Sequence, residues 1–86
     1  MEAAFAQELD MRVYAKDIKS WTRQERIPLE VNKIKIATYI IDFVITHLDG
    51  EKEYVEIKGF ETDTWRLKWK LAQALYPDRK WTVIKK

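Results

Sequence analysis

Apolar residues recur along this chain in two different rhythms. Over residues 2–16, Phe5, Ala6, Leu9 and Val13 stand three or four apart, which predicts a helix with one apolar stripe. The Ala, Gln, Glu, Leu, Met and Arg between them are good helix formers. Glu2 falls on the same stripe and is expected to face whatever the stripe packs on. Over residues 21–31, "WTRQERIPLEV", Pro28 excludes helix and favours an extended segment at a sheet edge. Residues 33–48, "KIKIATYIIDFVITHL", are dense in Ile, Val, Thr and aromatics, the residues of a long strand. The alternation slips inside it. Ile34, Ile36 and Ile40 have one parity, and Ile41, Phe43 and Ile45 have the other. Either both faces are buried or a bulge lies near residues 39–41.

Asp49 and Gly50 signal a turn, and residues 52–58 form the returning strand. Gly59 ends it. Thr62 or Asp63 can cap a helix that runs to Leu75 and is stopped by Pro77. Trp65, Trp69 and Ala72 mark one stripe of that helix, widened by Leu67, Leu71, Ala74 and Leu75. "RKWTVIKK" closes the chain as a short strand. The order is helix, strand, strand, strand, helix, strand, which predicts one α/β domain over residues 1–86.

Composition narrows the chemistry. A chain of 86 residues with 47% hydrophobic and 35% charged side chains buries a thin core. A partner subunit would strengthen it. With no Cys and a single His, disulfides, thiolate zinc sites and multi-histidine metal sites are excluded. No apolar run approaches the roughly 18 residues of a membrane span. No signal peptide is visible, so a cytoplasmic protein is expected. Net charge is only +2, but Arg66, Lys68 and Lys70 gather in one segment, and Arg79, Lys80, Lys85 and Lys86 crowd the C-terminus.

Two places combine charge with β-pattern. Asp42 interrupts the most hydrophobic stretch, "YIIDFVI", where a buried carboxylate is costly unless paired or bound to a cation. It can also sit on the solvent face or cap a bulge. In "KEYVEIKGF", Glu56 and Lys58 stand two apart and share one strand face. Alone, such a pair is also an ordinary exposed ion pair worth about 0–1 kcal/mol. Hairpin register joins the two places. A two-residue loop at 49 and 50 sets Asp42 against Ile57. A three-residue loop at 49–51 sets Asp42 against Lys58 and Val44 against Glu56, so that Asp42, Glu56 and Lys58 share a face. Two carboxylates and one ammonium suit a hard cation such as Mg²⁺, which takes one or two carboxylates plus water and phosphate.

"IIDF", then "VEIKG" after a hairpin, then a helix and a short strand, resembles the PD-(D/E)XK nuclease superfamily over nearly the whole chain. The likeness is to small phage-encoded members and archaeal-type Holliday junction resolvases. Ile41 stands where the family name has proline. The resemblance implies a restriction-endonuclease-like αβββαβ core, with a mixed four-stranded sheet flanked by helices. It also implies that Asp42 and Glu56 bind Mg²⁺ or Mn²⁺ with the Ile57 carbonyl, that Lys58 is the catalytic lysine, and that Glu2 joins them. Arg66, Lys68 and Lys70 would then hold DNA. The expected activity is metal-dependent hydrolysis of DNA, with branched DNA such as a Holliday junction as substrate and a homodimer as the working form. Restriction, recombination or single-strand trimming by the same fold, or a non-catalytic nucleic-acid-binding module, are the alternatives. A phage protein acting in its host, or a bacterial or archaeal cytoplasmic protein, fits this reading. The core starts at Met1, and upstream residues are expected to be missing.

Overall fold

The computed structural model describes residues 2–85, and for residue 2 the backbone alone. Its elements are α1 (Glu2–Tyr14), β1 (Ile18–Val31), β2 (Ile34–His47), β3 (Lys52–Lys58), α2 (Asp63–Leu75) and β4 (Lys80–Lys85). The strands form one mixed sheet in the order β1-β2-β3-β4. β1 and β2, and β2 and β3, run antiparallel, while β3 and β4 are parallel. A parallel pair needs a crossover, and α2 supplies it. The predicted element order and the α/β class with a mixed four-stranded sheet therefore hold.

Each face of the sheet is covered by one helix, because each helix carries one apolar stripe. Phe5, Ala6, Leu9 and Val13 of α1 cover Ile18, Phe43, Ile45 and Val55. Leu9 and Phe43 are fully buried there, and the Phe5 ring meets the Phe43 ring edge-on at 4.9 Å. On the other face, Trp65, Trp69, Leu71, Ala72 and Leu75 of α2 cover Ile27, Leu29, Tyr39, Ile41, Val44 and Tyr54. Thr62 caps α2, its hydroxyl accepting from the Trp65 N–H at 3.1 Å. That removes one of the unsatisfied donors of the first turn.

The slipped alternation of β2 has a structural cause. Odd-numbered Tyr39 and Ile41 belong to the α2 face, yet odd-numbered Phe43 and Ile45 belong to the α1 face. β1 switches in step, with Trp21 on the α1 side and Ile27 and Leu29 on the α2 side. Between the paired positions Arg23–Phe43 and Glu25–Ile41, Gln24 takes a left-handed φ of 55°. Both faces are buried, and Asp42 lies at the switch.

β1 and β2 are joined by a two-residue turn, Asn32 and Lys33, both left-handed at φ 52° and 66°. This matches the hairpin geometry that asparagine favours at its first position. Both strands have 14 residues, but β3 has 7 and pairs only with Phe43–Thr46 of β2. The outer half of the β1–β2 hairpin therefore projects past β3 as an arm, with Ile34, Ile36 and Ile40 exposed.

Candidate functional site

β2 and β3 bring Asp42, Glu56 and Lys58 together where the arm leaves the sheet. The register differs from both predicted ones. The His47 N–H donates to the Glu51 carbonyl at 2.8 Å, so the loop is residues 48–50, and Val44 faces Tyr54. Gly50 supplies the left-handed residue at φ 90°. Continued outward, this register sets Asp42 against Glu56 rather than against Lys58. The loop is still odd in length, so the predicted side-by-side placement survives the correction. The Ile57 N–H donates to Asp42 Oδ2 at 2.9 Å and ties the two strands at this point.

Glu56 is the one buried charged residue among those described, at 5% exposure. Its carboxylate is held from two sides. The Tyr39 hydroxyl donates to Oε1 at 2.9 Å, and the Lys58 ammonium lies 3.7 Å from Oε2. Burial first, and the charge of Asp42 second, push the Glu56 carboxyl above the ordinary glutamate range. The Tyr39 hydroxyl is itself pushed far up by burial and by Glu56, so it stays protonated. The Trp65 indole N–H donates to the Tyr39 oxygen at 3.1 Å. With its lone pair engaged by Trp65, the single proton of Tyr39 is directed to Glu56. The Trp65 ring also lies under the Lys58 ammonium, 5.2 Å from the centroid. One tryptophan thus orients both partners of the carboxylate.

A cleft of about 290 Å³ opens beside these groups. Glu56, Lys58, Thr38, Thr62, Thr64 and Lys68 line it, so its walls carry hydroxyls and two ammonium groups. Lys68 donates to the Thr38 carbonyl at 3.4 Å. Arg66 and Lys70 are not brought here. Both line a second groove on the other flank of Trp65, and Arg66 is held by Glu61 at 3.2 Å and Asp63 at 3.3 Å. Each stands two residues from Lys68, a spacing that turns both to another side of the helix. The Glu2 side chain lies outside the described residues. Gly59 faces open space: a Cβ there would meet nothing within 4 Å, so no close backbone approach within the chain requires glycine.

Sequence reasoning missed Tyr39 and the double role of Trp65. Tyr39 looks like one more aromatic of a β-run, and Trp65 like core at helical spacing. The signal that could have found Tyr39 is its place on the face that carries Asp42, hidden by the slip in parity. The crowded basic C-terminus is also partly spent within the chain. Arg79 stacks 4.0 Å over the Tyr76 ring, Lys80 lies 3.8 Å from Glu53, and Lys85 pairs with Glu61 at 3.1 Å.

The donor set fits a hard divalent cation. Asp42 and Glu56 offer only oxygen, and their mutual repulsion, which raises the Glu56 pKa, would turn to attraction around a dication. Among the described residues no group of three or more His, Cys, Asp or Glu side chains gathers to hold a metal. Two carboxylates are nonetheless the usual protein share for Mg²⁺, which keeps several waters. No helix is long and apolar enough to cross a membrane.

A family model described as "Protein of unknown function (DUF1064)" matches residues 1–86, and the chain belongs to that family. No curated protein and no solved structure matches it.

Proposed function

We propose that this member of the DUF1064 family is a metal-dependent endonuclease that hydrolyses DNA phosphodiesters on a restriction-endonuclease-like core. The observation that carries the reading is a cleft lined by Glu56 and Lys58, with Asp42 set against Glu56 on the next strand, near enough for its charge to act on that carboxyl, and bound to the Ile57 N–H. Asp42 and Glu56, with the Ile57 carbonyl, would hold Mg²⁺ or Mn²⁺. When bound, such an ion polarises a phosphoryl oxygen and lowers the pKa of a coordinated water.

The chain's own groups do the rest. Tyr39 occupies Glu56 Oε1 with a hydrogen bond, which leaves Oε2 on the side of Lys58. Lys58 lies beside that oxygen and over the Trp65 face, placed to stabilise negative charge developing on phosphate. Lys68 and the hydroxyls of Thr62 and Thr64 line the cleft where the phosphate oxygens would lie. Branched DNA as substrate and a homodimer as the working form belong to the same proposal. The tryptophan stripe of α2 would add little to that dimer's interface, because most of its surface is packed inside the chain: Trp69 stacks on Trp65 at 5.5 Å and meets Trp81 edge-on at 5.7 Å.

Labelled branched and linear DNA, incubated with Mg²⁺, with Mn²⁺ or with chelator, tests the activity. Cleavage is expected only with metal. Asp42→Asn and Lys58→Ala should each lower it by about 10²–10³-fold while DNA binding persists. Undiminished metal-dependent cleavage in both variants would refute the assigned roles. A second measurement isolates the tyrosine. Tyr39→Phe deletes the donor to Glu56 but keeps the ring, and Mn²⁺ titration followed by its electron paramagnetic resonance should show binding weaker by about 10–100-fold. Equal Mn²⁺ affinity in this variant and the wild type would mean that Glu56 needs no such support.

A further inference from the structure

Trp65 separates two clefts. On one side is the cleft with Glu56 and Lys58. On the other, between α2 and β4, is a groove of about 450 Å³ whose floor is the rings of Trp65 and Trp69 with Val83. Its rim is Arg66, Lys70, Lys85 and Glu61. Two observations bear on what would fill it. The first is shape and surface. Trp69 is only half-buried, and Leu67 is 68% exposed at the mouth, so apolar and aromatic surface faces outward. The second is charge. Glu61 bridges Arg66 at 3.2 Å and Lys85 at 3.1 Å, and Lys85 first and Arg66 second hold its carboxyl below the ordinary range. Asp63 also pairs with Arg66, at 3.3 Å, so the positive charge left on the rim is that of Lys70, with which no carboxylate pairs among the described residues.

An aromatic floor inside a cationic rim complements one ligand chemistry: a flat heteroaromatic ring joined to an anion. We infer that this groove takes an unpaired nucleotide of a DNA strand whose neighbouring phosphate lies in the Glu56–Lys58 cleft. This rests on the nuclease reading and gives its substrate a required feature, a base outside the duplex beside the cut. A base engaged in a duplex keeps its faces stacked on its neighbours and cannot lie on the groove floor. A single strand, a flap or the centre of a branch can offer one. Base–aromatic stacking is tolerant of sequence, so no base preference is expected from this groove.

The test is binding in chelator, where nothing is cut. Probes are a fluorescein-labelled eight-residue oligothymidylate and a blunt hairpin duplex, followed by anisotropy. Leu67→Glu places a carboxylate at the exposed mouth, and Lys70→Ala removes the rim cation; circular dichroism and melting check that both fold. Leu67→Glu should weaken oligothymidylate binding about tenfold, the scale of losing one stacked base. Lys70→Ala should weaken it less, and duplex binding should change under twofold for Leu67→Glu. Unchanged oligothymidylate affinity in both folded variants, or equal losses on single strand and duplex, overturns the groove. The two readings fail separately. Metal-dependent cleavage by wild type with unchanged binding in the variants removes the groove and keeps the nuclease. Groove-dependent binding without cleavage of any DNA supports the groove and removes the nuclease.

Discussion

Glu56→Gln should abolish cleavage, by about 10³-fold, and at the same time raise the thermal midpoint at pH 7. The loss follows from the proposed metal site, because an amide offers one neutral oxygen where the carboxylate offers two charged ones. The gain in stability follows from burial. Glu56 is 5% exposed, and burial, then Asp42, raises its pKa, so the folded protein takes up this proton more readily than the unfolded chain. The stability contributed by a group with a raised pKa is fully present below the unfolded value, here near 4.5, and is lost as pH rises through the folded value. Above the unfolded value the wild type therefore bears a burial cost that glutamine lacks, and glutamine can still accept from Tyr39. The difference in midpoint between variant and wild type should shrink as pH falls and vanish in acid below about pH 4. Melting curves from pH 3.5 to 8 check this. A variant less stable than wild type at pH 7 would mean that the pairing of Glu56 with Lys58 outweighs the cost of burying it. Added Mn²⁺ should reverse the order by stabilising the wild type alone, by about 2.7 kcal/mol at a hundred times the Kd.

The largest loss of stability is expected from Trp69→Ala. Its ring touches Trp65 face to face at 5.5 Å, Tyr39 edge-on at 6.1 Å and Trp81 edge-on at 5.7 Å, so it joins α2 to β2 and β4 at once. Truncating a core tryptophan costs about 3–5 kcal/mol, and the partial exposure of Trp69 places it near the lower figure. Each kcal/mol lowers the midpoint of a domain this size by about 4–8 °C. A fall of roughly 12 °C or more is expected, with no change in solution mass on equilibrium sedimentation. A wild-type dimer that the substitution dissociates would instead assign the ring to an interface. Trp65 stands against Tyr39, so the same variant should also loosen the support of Glu56.

The helices were legible because each has a single apolar stripe. Phe5, Ala6, Leu9 and Val13, and Trp65, Trp69 and Ala72, each found one face of the sheet. The shared face of Asp42, Glu56 and Lys58 was legible for a different reason: it depends only on whether the loop is odd, and the turn signal at Asp49 and Gly50 left few lengths to choose from. The position of the loop was not legible. Residues 48–50 and 49–51 both contain a glycine able to take a left-handed φ, and backbone closure by His47 and Glu51 decides between them. The change of face at Gln24 and Asp42 was visible only as a broken alternation. Resolving it needs two strands turning together, and parity within one strand carries no record of its neighbour. An i, i+4 pair of rings looks alike in a core and in an interface, so the spacing of Trp65 and Trp69 does not tell the two apart. Packing against Trp81 of β4 and Tyr39 of β2 assigns most of the tryptophan stripe's surface to the core.

The projecting arm has a consequence for behaviour in solution. From Ile34 to Ile40, the rim of β2 turned toward β3 has no paired strand among the described residues, and Lys68 covers one of its carbonyls. Ile34, Ile36 and Ile40 stand exposed along that stretch at 64%, 59% and 50%. A bare strand rim beside isoleucines is a template on which another chain can lay itself down, the first step of aggregation. Lys33 and Lys35 are interleaved with those isoleucines and oppose the step by like-charge repulsion. Repulsion of that kind is screened over about 10 Å at 0.1 M salt and about 3 Å at 1 M, whereas apolar attraction is not. High salt therefore strips the arm of its protection, and the colloidal stability of this small domain is greatest in dilute buffer.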